Sequence, residues 1–463
     1  MATATRSNTS RKRGQRKRTT RTYDSALKYL FSQTDYERMR RVRYNSDTFS
    51  LDRMRLLLER LGNPHEKILA VHIAGTKGKG STATMLAQML KACRLRVGLY
   101  TSPHICDIRE RIRINGTVIT QAAVARLVSQ VEPHIEEMAE TGKPTFFEIF
   151  TALAFQHFAE ENVDVAIIET GLGGRLDSTN VLQPAVCGLT SISMDHMHQL
   201  GNTLPDIARE KAGIIKAGVP VVSVQQEDDA KRVLRQMAAK VGAELLFTGE
   251  EIEFSYRVES SRQVGCHARV CLTTPRSRFE HFAVPVLGEH QALNCGLALA
   301  LLDQLKAQGL EIDDQKAMRG LRELKLPGRM EMINEDPRLL VDGAHNAASI
   351  QALIRAIGQH IPYDSMVVVF GCAADKDING MMQRLATGAD KVIFTRAAGN
   401  PRAADPHDLA EMYEEVCGRT AQVAGNVRQA LQIANNAVSR EDLICLCWSF
   451  YLVGEAKKLL GRV

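Results

Sequence analysis

Residues 72–86 read HIAGTKGKGSTATML, with three glycines and two lysines inside positions 75–80 and an apolar run directly after them. A buried-strand pattern, ILAVHIA, leads in over 68–74. Downstream, Met85, Leu86, Met89, Leu90 and Cys93 recur at helical spacing. Strand, glycine turn and helix start together make an anion site, because backbone N–H groups converge there and the helix dipole favours negative charge. Gly75, Thr76, Lys77, Gly78, Lys79, Gly80 and Ser81 are therefore read as a nucleotide-binding loop. Lys79 would reach the β- and γ-phosphates, and the Ser81 hydroxyl is placed for Mg²⁺. The spacing departs from the usual P-loop: Ile73 stands where its first glycine belongs, and Gly80 stands where a hydroxyl residue would follow Lys79.

Outward from this loop the pattern alternates. Short β-branched runs at 163–170, 185–192 and 219–224 are separated by helical segments, which reads as a doubly wound α/β sheet. Residues 250–285 break into short alternating pieces, the pattern of a small antiparallel β insertion. After LKLPGRME the alternation restarts at RLLVDGAHN (338–346) and continues to DLICLCW (442–448). The expected architecture is a basic disordered tail over 1–22, a P-loop α/β domain over 23–325, and a smaller Rossmann-like α/β domain over 326–463, with the linker near 322–328.

The chain has 463 residues and a formal charge of +6. Of its 59 Lys and Arg, eight lie in residues 1–22 with no acid among them; the remaining 51 face 53 acids. The basicity thus belongs to a tail with almost nothing apolar to bury, and the body is close to neutral. No apolar run approaches the roughly 18 residues of a membrane span, and no secretory h-region follows Met1. Ten scattered cysteines without a CxxC pair read as reduced thiols of a cytoplasmic protein. No membrane and no specific nucleic-acid partner is expected, and the tail offers at most weak contact.

Three further stretches carry chemistry. TFFEIFTALAFQHF (145–158) holds one carboxylate, Glu148, near the start of an apolar helix; SISMDHMHQLG (191–201) ends a strand with Asp195, His196 and His198; REKAGIIKAG (209–218) sets Lys211 before an apolar run. With GTKGKGS, YTSPH (100–104), ERIRING (110–116), GLGGRLDSTN (171–180), LGEHQALN (287–294), PGRME (327–331), DGAHN (342–346), DKD (375–377) and NPRA (400–403), they occur in one order from about Tyr23 to the C-terminus. In number, order and spacing these motifs resemble the folylpolyglutamate synthase/dihydrofolate synthase family, the folate branch of the Mur-type amide ligases.

The resemblance implies ATP-dependent addition of L-glutamate to folate or dihydropteroate through an acyl phosphate, releasing ADP and phosphate. It implies that Ser102, Glu148 and His196, with Ser81, hold Mg²⁺ in two sites, and that Lys211 is carbamylated and helps to place the second metal. It places Asn294, Arg329 and Asp342 at ATP, His345 near the incoming glutamate, and Asp177 and Ser178 on the folate side. Lys79, Lys211 and His345 are the implied catalytic groups, in a monomer.

Four positions depart from the family pattern: Lys77 replaces an asparagine, Thr170 a valine, Ala347 a proline, and Trp448 a small residue. Another Mur-type ligase is the main rival, but about 50 residues between Tyr23 and the phosphate loop leave too little chain for a nucleotide-sugar domain. A P-loop switch or nucleic-acid-dependent ATPase would leave the second domain and Lys211 without a task.

Overall fold

The computed structural model describes residues 21–39, 44, 45, 48–140, 142–261, 265–447 and 449–462. Most of the expected tail, and Trp448, lie outside the described residues. Arg21 and Thr22, placed in the tail by composition, belong to the folded body. The Arg21 guanidinium ion-pairs with Glu132 and lies 4.8 Å over the Tyr29 ring, and Thr22 caps the helix Tyr23–Phe31 by accepting from the Ser25 amide.

The first sheet contains β1 (Ala70–Ala74), β2 (Val97–Tyr100), β3 (Ile112–Ile114), β4 (Thr117–Val118), β5 (Val165–Glu169), β6 (Val186–Leu189), β7 (Val221–Ser223) and β8 (Leu245–Phe247). Their order is β4-β3-β2-β5-β1-β6-β7-β8. Pairing is parallel from β2 through β8 in that order, and antiparallel only at β2–β3–β4. Helices cover both faces, so the central strands are buried on both sides and read as unbroken apolar runs. On one face the helices Lys79–Ala92 and Glu289–Ala307 share a core with the sheet; on the other, Gln121–Glu137 and Phe146–Glu160 do so. Each wholly buried leucine there, such as Leu86 or Leu153, contributes about 2 kcal/mol.

The expected β insertion is a separate antiparallel sheet of β9 (Glu253–Ser261), β10 (Gly265–Thr273) and β11 (Arg278–Val284). It packs into the core through Val270, Leu272 and Phe279.

The helix Asp314–Arg322 ends the first α/β unit, and the second sheet begins with β12 (Glu331–Glu335). It continues with β13 (Arg338–Asp342), β14 (Met366–Phe370), β15 (Lys391–Phe394), β16 (Gln422–Val423) and β17 (Leu443–Cys447), in the order β12-β13-β17-β14-β15-β16. Separate apolar clusters cover its two faces. Cys445 and Cys447 are buried free thiols of β17. Loops after β1, β5, β6 and β13 open into one cleft, as open α/β sheets place their ligand sites outside the carboxyl ends of strands.

Candidate active site

The cleft encloses about 570 Å³ and is lined from both α/β units. At its floor β1 ends and the chain turns through Gly78, φ +90°, into the helix beginning at Lys79. A side chain at Gly78 would strain the backbone and overlap the buried Asn294 amide, so glycine is required for Asn294 to close on the loop. The amides of Thr76 and Lys77 are already bonded to the Ser191 carbonyl. The anion-facing donors are therefore those of Lys79, Gly80 and Ser81, which open the helix and have no intrahelical acceptor.

Two lysines converge on this turn. Lys79 Nζ donates to the Gly75 carbonyl at 3.2 Å and Lys211 Nζ to the same oxygen at 2.7 Å. Lys211 is buried; burial, then the neighbouring Lys79 charge, holds its amine well below the usual lysine range.

The carboxylate implied for the metal lines the same cleft but is engaged by the protein. Glu148 forms a bidentate pair with Arg53, 2.8 and 2.6 Å, and accepts from the Thr145 amide in the capping box of its helix. Both partners are largely buried, so this carboxylate is already neutralised. The carboxylate beside the phosphate loop is Glu169, at the end of β5. It accepts from the Ser102 amide at 3.1 Å and lies against Gly80, and burial raises its pKa against the opposing pull of Lys79. The parallel register pairing Ile73 with Glu169 brings it there. Its place at a strand end, one residue short of GLGG, was the available signal.

Asp177 and Ser178 line the cleft but are used by the protein. Asp177 accepts from the amides of Gly171, Leu172 and Thr179, shaping the loop, while the Ser178 hydroxyl is 3.2 Å from that of Thr151. Asp342 likewise accepts from the Met330 and Ala344 amides at 2.8 and 2.7 Å, joining the PGR and DGAHN turns. Arg329 is held 4.7 Å over the Phe450 ring. Thr170, read as a packing residue, is buried, although among the described residues its hydroxyl finds no partner.

A charge cluster crosses between the two units. Buried Asp195 receives Lys77 Nζ and Lys376 Nζ, each at 2.7 Å, and Asn346 Nδ2 at 3.3 Å. Lys77 Nζ is also 2.6 Å from His345 Nε2, while His345 Nδ1 is 2.8 Å from the Gly343 carbonyl. A carbonyl only accepts, so Nδ1 carries the proton and Nε2 accepts from Lys77. Burial and the Lys77 charge lower His345 to about 4, and burial lowers Lys77 to about 8 despite Asp195. In the sequence Asp195 stands beside His196 and His198, and Lys376 within DKD, and no local pattern gives either a role. His196, at φ +50°, is half-buried beside Asp195, and His198 is exposed. Among the described residues no three His, Cys, Asp or Glu side chains gather closely enough to hold a metal alone. Mg²⁺ commonly takes one or two carboxylates and completes its shell with substrate phosphates and water.

The cleft is also lined by an aromatic wall in which Tyr36 and Phe49 approach to 5.3 Å between ring centroids; Tyr44, outside the lining, lies 5.0 Å from Phe49. Met39, Phe147, Leu172 and Leu200 extend it along the cavity.

Residues 73–302 match the Mur ligase middle domain, and residues 328–450 the Mur ligase glutamate ligase domain. The dihydrofolate synthase/folylpolyglutamate synthase of Bacillus subtilis is 35% identical over 414 residues, covering 89% of this chain and 94% of its own. A probable bifunctional folylpolyglutamate synthase/dihydropteroate synthase of Haloferax volcanii is 35% identical over 444 residues; the match covers 95% of this chain but spans only 51% of that relative. Among solved structures, an FPGS–AMPPCP–folate complex superimposes with a TM-score of 0.81 at 31% identity, covering 95% of this chain and 99% of the other. The chain belongs to the folylpolyglutamate synthase/dihydrofolate synthase family of Mur ligases.

Proposed function

We infer that this protein is an ATP-dependent ligase that joins L-glutamate to a folate carboxylate, releasing ADP and phosphate. The carrying observation is a single cavity that unites a phosphate loop, an aromatic wall and a lysine–histidine cluster from the second unit. The similar structure holding AMPPCP and folate together supports this pairing of ligands.

A carboxylate is a poor acyl donor until it is phosphorylated. Its oxygen attacks the γ-phosphorus of ATP, ADP leaves, and an acyl phosphate forms. The helix-opening amides and Lys79 would hold the phosphates in line and offset the charge that spreads during transfer. The glutamate amine then attacks the acyl carbon, expelling phosphate and losing a proton as the amide forms. Arg329, which lines the cleft, reaches the nucleotide from the second unit. Enclosure between the two units would shield the acyl phosphate from water.

Glu169, Ser81, Ser102 and His196 fit a Mg²⁺ site: all four line the cleft, and Glu169 is a buried carboxylate against the phosphate loop at Gly80. Bound there, Mg²⁺ would neutralise charge between the β- and γ-phosphates. Lys211, buried and holding its proton weakly, suits reaction with CO₂ to give a carbamate and a proton, an anion that can face a second cation. A cytoplasmic location fits the ten free cysteines. Radiolabelled glutamate incorporation by the purified protein, with tetrahydrofolate and dihydropteroate compared as acceptors, tests the reading. Incorporation into neither would overturn it.

A further inference from the structure

Lys77 stands in the phosphate loop, yet its ammonium is turned away from the helix-opening amides. It reaches Asp195 Oδ2 at 2.7 Å and His345 Nε2 at 2.6 Å. Asp195 follows β6 in the first unit, whereas His345 follows β13 in the second. One side chain thus ties the loop to both. Asp195 is doubly compensated, since Lys376 holds its other oxygen. The imidazole is fixed at both nitrogens, by the Gly343 carbonyl and by Lys77. A shorter asparagine, the residue the family pattern carries here, could not span this gap with a cation.

We propose that Lys77 is a positioning residue that couples the phosphate loop to the second unit by donating to His345 Nε2 while pairing with Asp195. The coupling orients the imidazole and seats the DGAHN turn over the loop. It differs from phosphate binding, which the helix-opening amides and Lys79 serve. The inference deepens the ligase reading and rests on it for its kinetic arm only.

The test combines kinetics, ADP binding and ¹⁵N NMR of the imidazoles in the full chain. Lys77→Gln and Lys77→Asn should lower kcat about tenfold or more while ADP affinity stays within about threefold of wild type. Adding either change to His345→Ala should produce little further loss, because the two residues act as a unit. In the wild type the His345 ¹⁵N shifts should report an Nδ1–H tautomer with a hydrogen-bonded Nε2, and the Nε2 signal should move in both Lys77 variants. A fall in ADP affinity matching the fall in kcat would make Lys77 a plain phosphate ligand and overturn the proposal. Multiplicative losses in the double variant, or an unchanged Nε2 shift, would do the same. The NMR arm needs no turnover, so a wild type that fails to add glutamate would refute the ligase reading without deciding this one.

Discussion

Lys211 and the pair of glutamates carry the sharpest predictions at the scale of single residues. A buried amine against the Gly75 carbonyl is a weak cation and, when neutral, a nucleophile toward CO₂. Lys211→Ala and Lys211→Arg should both lose turnover by at least about a hundredfold, since neither can become an anion, while ADP binding survives. Short carboxylic acids such as acetate should partly restore the alanine variant. Near-normal turnover of Lys211→Arg would show that a plain cation suffices. The two carboxylates should separate cleanly. Glu169→Gln should abolish Mg²⁺-dependent turnover with little change in thermal midpoint. Glu148→Gln leaves Arg53 buried without its ion partner and should cost about 3 kcal/mol of stability, read from urea unfolding. The opposite assignment of defects would return the metal role to Glu148.

Elements, rather than the strings around them, separate those two glutamates. Both stand beside apolar runs, and FFE and ETG are equally local strings. What distinguishes them is pairing across the sheet: the register of Ile73 with Glu169 carries one to the phosphate loop. Glu148 instead caps a helix and meets Arg53, 95 positions away in the chain. The strand–loop–helix unit, the β insertion and the restart of alternation were legible because period and turn residues are local properties. The Asp195–Lys376 contact joins residues 181 positions apart, and no local pattern encodes it. Helix Phe450–Leu459 shows the same dependence on distant partners. Its Gly454 lies so close to the Ile105 carbonyl that a methyl group would overlap it. Ile105 belongs to the loop carrying Ser102. Gly454→Ala should therefore push the two units apart and lower kcat at least about tenfold with ADP affinity unchanged. Wild-type kinetics in that variant would mean that the close approach does not matter to the reaction.

For the molecule as a whole, buried histidines set a pH limit and the shared cleft sets the chemistry. Burial pushes His72, in β1, down to about 3 and His104 to about 4, from an ordinary 6.5. The unfolded chain takes up protons near 6.5 that the folded protein refuses, so stability falls as pH drops below that value and continues falling toward the folded values. The slope from wholly buried His72 alone is about 1.4 kcal/mol per pH unit. Urea midpoints should therefore drop between pH 7.5 and pH 5; midpoints that hold steady or rise would show that these imidazoles are not held neutral. In an acyl-phosphate mechanism the folate carboxylate gives one oxygen to the phosphate released in each turnover. The decisive measurement follows ¹⁸O from a labelled acceptor carboxylate during glutamate addition. One ¹⁸O atom should appear in inorganic phosphate per amide formed, with ADP as the nucleotide product; label in AMP, or unlabelled phosphate, would contradict an acyl-phosphate mechanism.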